Sequence, residues 1–134
     1  MKYYYTAVLE KIEDGSGYYA RVPDLKGCVT SGRDIHDAIA QITDAANGWL
    51  VVAEDEGLAV PTATPQQDIE IATDALMTLI EADTILYRAN TETRAVRKNV
   101  SLPAWMARLA DKLNINCSKV LQDGLLALFD EHSF

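Results

Sequence analysis

The chain has 134 residues, 49% of them apolar, with 20 acidic side chains against 12 Lys and Arg and a formal charge of −8. That length suits one ordinary domain or two small ones, folding without metals or disulfides. Only two cysteines occur, Cys28 and Cys117, far apart and without Cys-x-x-Cys or Cys/His spacing, which excludes a disulfide framework or a zinc site and points to buried small hydrophobes in a reducing cytosol.

The opening "KYYYTAVLEKI" lacks the apolar core and cleavage site of a signal peptide. The longest apolar run, "WLVVA", is far short of the roughly 20 residues that span a bilayer. A cytoplasmic protein with no membrane association, no cofactor and no metal is expected. Charge is unevenly spread: residues 1–93 hold 16 acids against 6 Lys and Arg (−10), and residues 94–134 hold 4 against 6 (+2). Such asymmetry fits two modules with different partners, an acidic body for a basic one and a basic segment for phosphate.

The first predicted element is a strand in "YYYTAVLEKI", where Tyr3, Tyr5, Ala7 and Leu9 alternate with Tyr4, Thr6, Val8 and Glu10. "EDGSG" is a turn, "YYARVPD" its hairpin partner, "LKG" a second turn and "CVTSG" a short third strand. Asp34 is placed to cap a helix starting at Ile35, whose apolar stripe is Ile35, Ala38, Ile39, Ile42, Ala46, Trp49, Leu50 and Ala53. "EDEG" and "VPTATPQQ" end it in a polar loop, and "ALMTLIEA", Ala75 to Ala82, reads as a fourth strand. A short helical turn opening at Asp83 then leads into a polar linker. Strands before and after one long helix make a small α+β layer.

The stretch "RAVRKNVSLPAWMARL" is cationic at Arg94, Arg97, Lys98 and Arg108 and holds no acid. Read as a strand, Val96, Lys98, Val100 and Leu102 share one face and Arg97, Asn99 and Ser101 the other. Arginine grips guanine O6/N7, asparagine pairs with adenine N6/N7 and serine adapts to several bases. Lys98 either packs its stem or sits near a phosphate. A basic strand alone is often only a solvated edge. Here, however, Pro103 suits the first turn of a helix with the stripe Trp105, Met106, Leu109, Ala110 and Leu113. Asn116 caps a second helix with apolar positions Cys117, Val120, Leu121, Gly124, Leu125 and Leu128, and Gly124 is expected to permit a close helix crossing.

A strand and two helices of this size cannot bury so much apolar surface alone. Two copies that pair their strands antiparallel and interlock their helices form one shared core. Their two-stranded ribbon fits the DNA major groove, and the second helix's first amides, at Cys117 and Ser118 beside Lys119, are placed to hold a phosphate.

Residues 94–130, "KNVSLPAWMARLADKLNINCSKVLQDGLLALF" included, resemble the ribbon-helix-helix DNA-binding domain. The stretch "GYYARVPDLKGCVTSGRDIHDAIAQITDAANGWL" resembles the HicB antitoxin family, with Pro23, Asp24, Gly27, Cys28, Gly32 and Ala38 at matching places. The resemblance implies an antitoxin of a type II toxin–antitoxin system. Its fold would be α+β, with a partial RNase H-like β-β-β-α-β domain at 1–82, a helical turn and linker at 83–93, and a β-α-α ribbon-helix-helix domain at 94–134. The first domain would mask a small basic HicA-like mRNA-cleaving toxin. The second would form a homodimer and repress its own operon at operator DNA, with assembly into tetramers left open. Carried over, Arg97, Asn99 and Ser101 contact bases, and Lys98, Asn116, Cys117, Ser118 and Lys119 contact phosphates. Tyr18, Tyr19 and Asp24 are candidate toxin contacts, although Asp24 in "VPDLKG" also suits a plain turn and alternation turns half of the tyrosines inward.

An RNase H-like fold invites an enzyme reading, because two-metal nucleases gather carboxylates around magnesium. The acids here fall in turns, on the helix's polar side and near element ends, and His36 and His132 have no Ser or Cys partner motif, so no catalytic residue is expected. The rival reading is a stand-alone ribbon-helix-helix repressor whose first domain senses a ligand or oligomerises.

Overall fold

The computed structural model describes residues 1–131 and divides into two bodies, Lys2–Glu92 and the residues from Thr93 on. The first body is a four-stranded antiparallel sheet of β1 (Lys2–Lys11), β2 (Tyr18–Arg21), β3 (Val29–Gly32) and β4 (Leu76–Asp83) in the order β3-β2-β1-β4. Helix α1 (Ile35–Glu56) packs on one face, a short 3₁₀ turn occupies Gln66–Asp68, and α2 (Thr84–Thr91) follows β4. The second body holds α3 (Ala104–Lys112) and α4 (Cys117–Glu131).

The period-two pattern sorts the sheet as expected. Tyr5, Ala7 and Leu9 of β1 stand across from Ile80, Thr78 and Leu76 of β4, and Leu9 also faces Ala20 of β2. Against this row α1 buries Ala38, Ile42, Ala46, Leu50 and Ala53, so the core is a strip between one helix and one sheet face. Emptying a position such as Ile42 or Leu50 removes about 2–5 kcal/mol of burial and packing.

Local chemistry sets the ends of α1. The Asp34 carboxylate accepts from the Asp37 amide at 2.8 Å, and Asp37 accepts from the Arg33 amide at 2.9 Å, so two orphan donors are satisfied reciprocally. That amide bond from Arg33 holds Asp37 below the usual carboxylate range. Gly57 closes the helix with φ 67°, its amide bonded to Ala53 and Glu54 carbonyls. Gly32 is required for a different reason: a Cβ there would run into the backbone of Ala38, where β3 passes beneath the first turn of α1.

Asp83, expected to open a short helical turn, caps an eight-residue helix by accepting from the Leu86 amide at 3.1 Å. The helical turn expected at Asp83 is thus a longer helix than expected, and α2 belongs to the first body and is clamped to α1. Arg88 donates to Glu54 at 3.1 Å and to Asp55 at 2.8 Å, while Tyr3 and Thr84 donate to the other Glu54 oxygen at 2.8 and 3.0 Å. Glu54's side chain is only 1% exposed, so the hydrophobic stripe of α1 ends in a buried carboxylate joining β1, α1 and α2. Burial, then the bond to Glu54, pushes the Tyr3 hydroxyl pKa well up.

Two expectations for the second body change. Residues 92–103 carry no regular secondary structure, so the strand expected at 96–102 makes no ladder within the chain. Strand hydrogen bonds run to a neighbour, and the described part of this body contributes two helices and no second strand. Pro103 is the residue before α3 rather than in its first turn, with ψ 142° and its carbonyl accepting from Met106 at 3.0 Å. Among the described residues no helix is long and apolar enough to cross a membrane.

Replacing Arg88 with alanine leaves Glu54 without its cation in a dry setting. Urea unfolding of Arg88→Ala is expected to show a loss of about 3–5 kcal/mol; a loss below about 1 kcal/mol, the size of an exposed ion pair, would show that the clamp is solvated.

Candidate functional site

Two surfaces carry the candidate residues, one in each body. In the second body, the segment before α3 keeps its alternation without a ladder. Lys98, Val100 and Leu102 line an apolar cavity of about 450 Å³ with Trp105, Met106, Leu109, Ile115 and Leu121. Arg97, Asn99 and Ser101, the expected base-reading set, are exposed and stand outside that lining. Lys98, expected at a phosphate, falls on the apolar side.

The start of α4 is capped as its sequence requires. Asn116 accepts from the Lys119 amide at 3.1 Å, which occupies both the asparagine and that amide and leaves those of Cys117 and Ser118 as the first-turn donors. The Lys119 ammonium lies 3.3 Å from Asp123 one turn on, an exposed pair of little energy that leaves the cation available. A Cβ on Gly124 would meet nothing within 4 Å, so within one chain the expected close helix crossing is not made.

None of the described residues of α3 or α4 is buried. Trp105 is 56% exposed, Leu113 67% and Val120 59%. This body has two amphipathic helices and no interior.

In the first body the three toxin-contact candidates separate. Tyr18 lies on the inner face against the core, and Tyr19 lies on the outer face, 58% exposed. Asp24 holds the loop after α1: its oxygens accept from the Thr64 amide at 2.9 Å and hydroxyl at 2.6 Å. Tyr5 reaches the same loop, donating to the Pro61 carbonyl at 2.6 Å. Asp24 thus has a structural task beyond its own turn.

The outer face of the sheet was only half visible in the sequence. Register places Tyr4, Thr6, Val8 and Glu10 of β1 beside Tyr19 and Arg21 of β2, Val29 and Ser31 of β3, and Met77, Leu79 and Glu81 of β4. A concavity of about 450 Å³ lies over the β1–β3 side, lined by Val8, Glu10, Tyr19, Arg21, Val29 and Ser31 among others. Tyr4 donates to Glu81 at 2.8 Å, and that bond raises the phenol's pKa. The signal was there as the complement of the core-facing row; what the sequence lacked was any sign that no element of the first body packs on it, which leaves Tyr4, Tyr19, Val29 and Leu79 exposed.

His36 is exposed, and no three His, Cys, Asp or Glu side chains among the described residues converge on a metal position. His132 lies outside the described residues. Burial pushes the Cys28 thiol pKa up, which suits an inert core cysteine; Cys117 is free and exposed.

Comparison with known proteins gives the following. A family model described as a HicB-like antitoxin of bacterial toxin-antitoxin systems matches residues 5–127. A UPF0150 protein of Helicobacter pylori is 43% identical over 53 residues, 40% of this chain and 71% of that one. A UPF0150 protein of Synechocystis is 51% identical over 56 residues, 40% of this chain and 70% of that one. Among solved structures, a chain of a toxin–antitoxin complex from Streptococcus pneumoniae superposes with a TM-score of 0.61 at 18% identity, covering 98% of this chain and 100% of that one. The Burkholderia pseudomallei antitoxin HicB gives 0.52 at 22%, covering 97% and 98%. At these identities the structural matches speak to the fold.

Proposed function

The chain belongs to the HicB-like antitoxin family of bacterial toxin–antitoxin systems, and on that basis we propose that its acidic first body neutralises a HicA-like basic, mRNA-cleaving toxin while its second body binds operator DNA as a homodimer and represses the operon. The observation that carries this reading is the extent of the family match, which runs through both bodies rather than one. In this reading the protein is a non-catalytic regulator that acts in the cytoplasm.

The homodimer is supported by the missing interior. A body whose Trp105, Leu113 and Val120 stand more than half exposed has apolar surface that water disfavours. A second copy supplies what is absent: another segment to ladder with residues 96–102, and a mate for the apolar face of α3 and α4. Laddering turns Arg97, Asn99 and Ser101 of both copies to one side, as a ribbon for the major groove. The amides of Cys117 and Ser118, with the Lys119 ammonium, then suit a backbone phosphate. Lys98 flanks this arrangement, its stem packed and its ammonium at the margin.

Inhibition is steric and electrostatic. A ribonuclease must hold phosphates with cations, and a body with a net charge of −10 attracts and covers such a surface.

Co-purification from the native operon tests the whole reading: a complex with a small basic protein is expected, and a chain purified alone favours the stand-alone repressor. Two substitutions separate the DNA contacts. Arg97→Ala should relax base preference at one operator position at a cost of about 1–3 kcal/mol, and an unchanged binding profile removes Arg97 from base reading. Lys119→Ala should weaken binding to every sequence alike and flatten the salt dependence by about one ion, so a wild-type slope argues against the phosphate contact.

A further inference from the structure

An antiparallel sheet with one face in water normally alternates apolar inward and polar outward. The first body departs from that rule. Its outer face carries Tyr4, Val8, Tyr19, Val29, Met77 and Leu79, although the long helix α1 packs on the other side. Leu79 is 62% exposed and Val29 65%. Such a surface has the aromatic and aliphatic character of an interface centre rather than of a solvated sheet.

Its relief is as informative as its composition. Val8 is 1% exposed and Thr6 3%, although both point to this face. Neighbouring strands shade them: Leu79 stands beside Thr6, and Arg21 beside Val8. The middle of β1 is therefore the floor of a recess whose rim mixes Leu79 and Tyr19 with Arg21 and Glu10, a shape that receives a projecting side chain of a folded partner.

We infer that this uncovered sheet face is the docking surface for the toxin, an inference that rests on the antitoxin reading above. Charge selects the occupant. On the face itself Glu10 and Glu81 are nearly balanced by Arg21 and Lys2, with Glu81 hydrogen-bonded to Tyr4 and 4.0 Å from Lys2. The sign is therefore set by the body as a whole, whose net charge is −10. Nucleic acid is repelled by such a field, and a second copy of the same acidic body is repelled likewise. An RNA-cleaving toxin brings the opposite sign, because its own substrate is a polyanion. Docking its cationic face here sets Glu10 and the surrounding acidic body against it and buries the apolar centre, which shuts RNA out.

The test uses this chain and the small basic protein that co-purifies with it from its native operon, with affinity measured by calorimetry. Leu79→Arg and Tyr19→Arg place a cation on the exposed face, and each should raise Kd by about a hundredfold or more. Val52→Arg places the same charge on the exposed side of α1, beside a separate apolar cleft lined by Trp49 and Leu58, and should change Kd by less than about threefold. All three should melt with the wild type, since all three sites are exposed. An unchanged Kd at positions 79 and 19, or a loss at 52, overturns the docking surface while the antitoxin reading stands. Failure of the wild-type pair to associate removes both. Should a variant not fold, a benzophenone photocrosslinker at position 19 answers the same question: it should capture the basic protein, and capture from position 52 alone overturns the assignment.

Discussion

One long helix packed on one side of a four-stranded sheet is the constraint from which the rest of the first body follows. Ile42, Ala46 and Leu50 leave room for a single row of sheet residues, Tyr5, Ala7, Leu9, Ala20 and Ile80. To bring α1 this close, β3 must pass its first turn without a side chain, which is the task of Gly32. To close the far end, Glu54 gathers Tyr3, Thr84 and Arg88, drawing the start of the chain and α2 onto the same helix. With the helix fully engaged inward, the opposite face of the sheet has no cover from it.

The two bodies solve the problem of apolar surface in opposite ways. The first buries a core from its own residues and has an apolar face left over. The second has the apolar faces of two amphipathic helices, and none of the described residues of those helices is buried. The proposed function gives these properties two tasks, a surface that meets a toxin and a module that works in pairs.

Much of the first body was legible because its signals are local. Alternation in "YYYTAVLEKI", the Asp34 cap and the 3.6-residue stripe of α1 each depend on near neighbours, and each is found where the pattern put it. Less legible were features made by distant residues. Asp24 looked like a turn residue because Thr64, which occupies it, is 40 positions away. The helix opening at Asp83 looked like no more than a turn because it is short and is held by Arg88 reaching Glu54, 34 positions away. Alternation turns half of the tyrosines inward without saying which, and the pairing of β1 with β2 makes Tyr18 the inward one and Tyr19 the outward one. In the second body the helix signals and the Asn116 cap survive in a single chain, while the ribbon pattern at 96–102 stays unladdered, because a ladder is a property of two segments and not of one.

A module without an inside of its own is conditional matter. Its degree of order is set by how often it meets its complement, and an encounter between two like molecules scales with the square of their number. In the homodimer proposed above, halving the amount of this protein would cut the paired form fourfold wherever paired molecules are scarce. On that proposal exposed Trp105 and Leu113 make abundance itself the signal, read by helices that form alone but find an interior only in company.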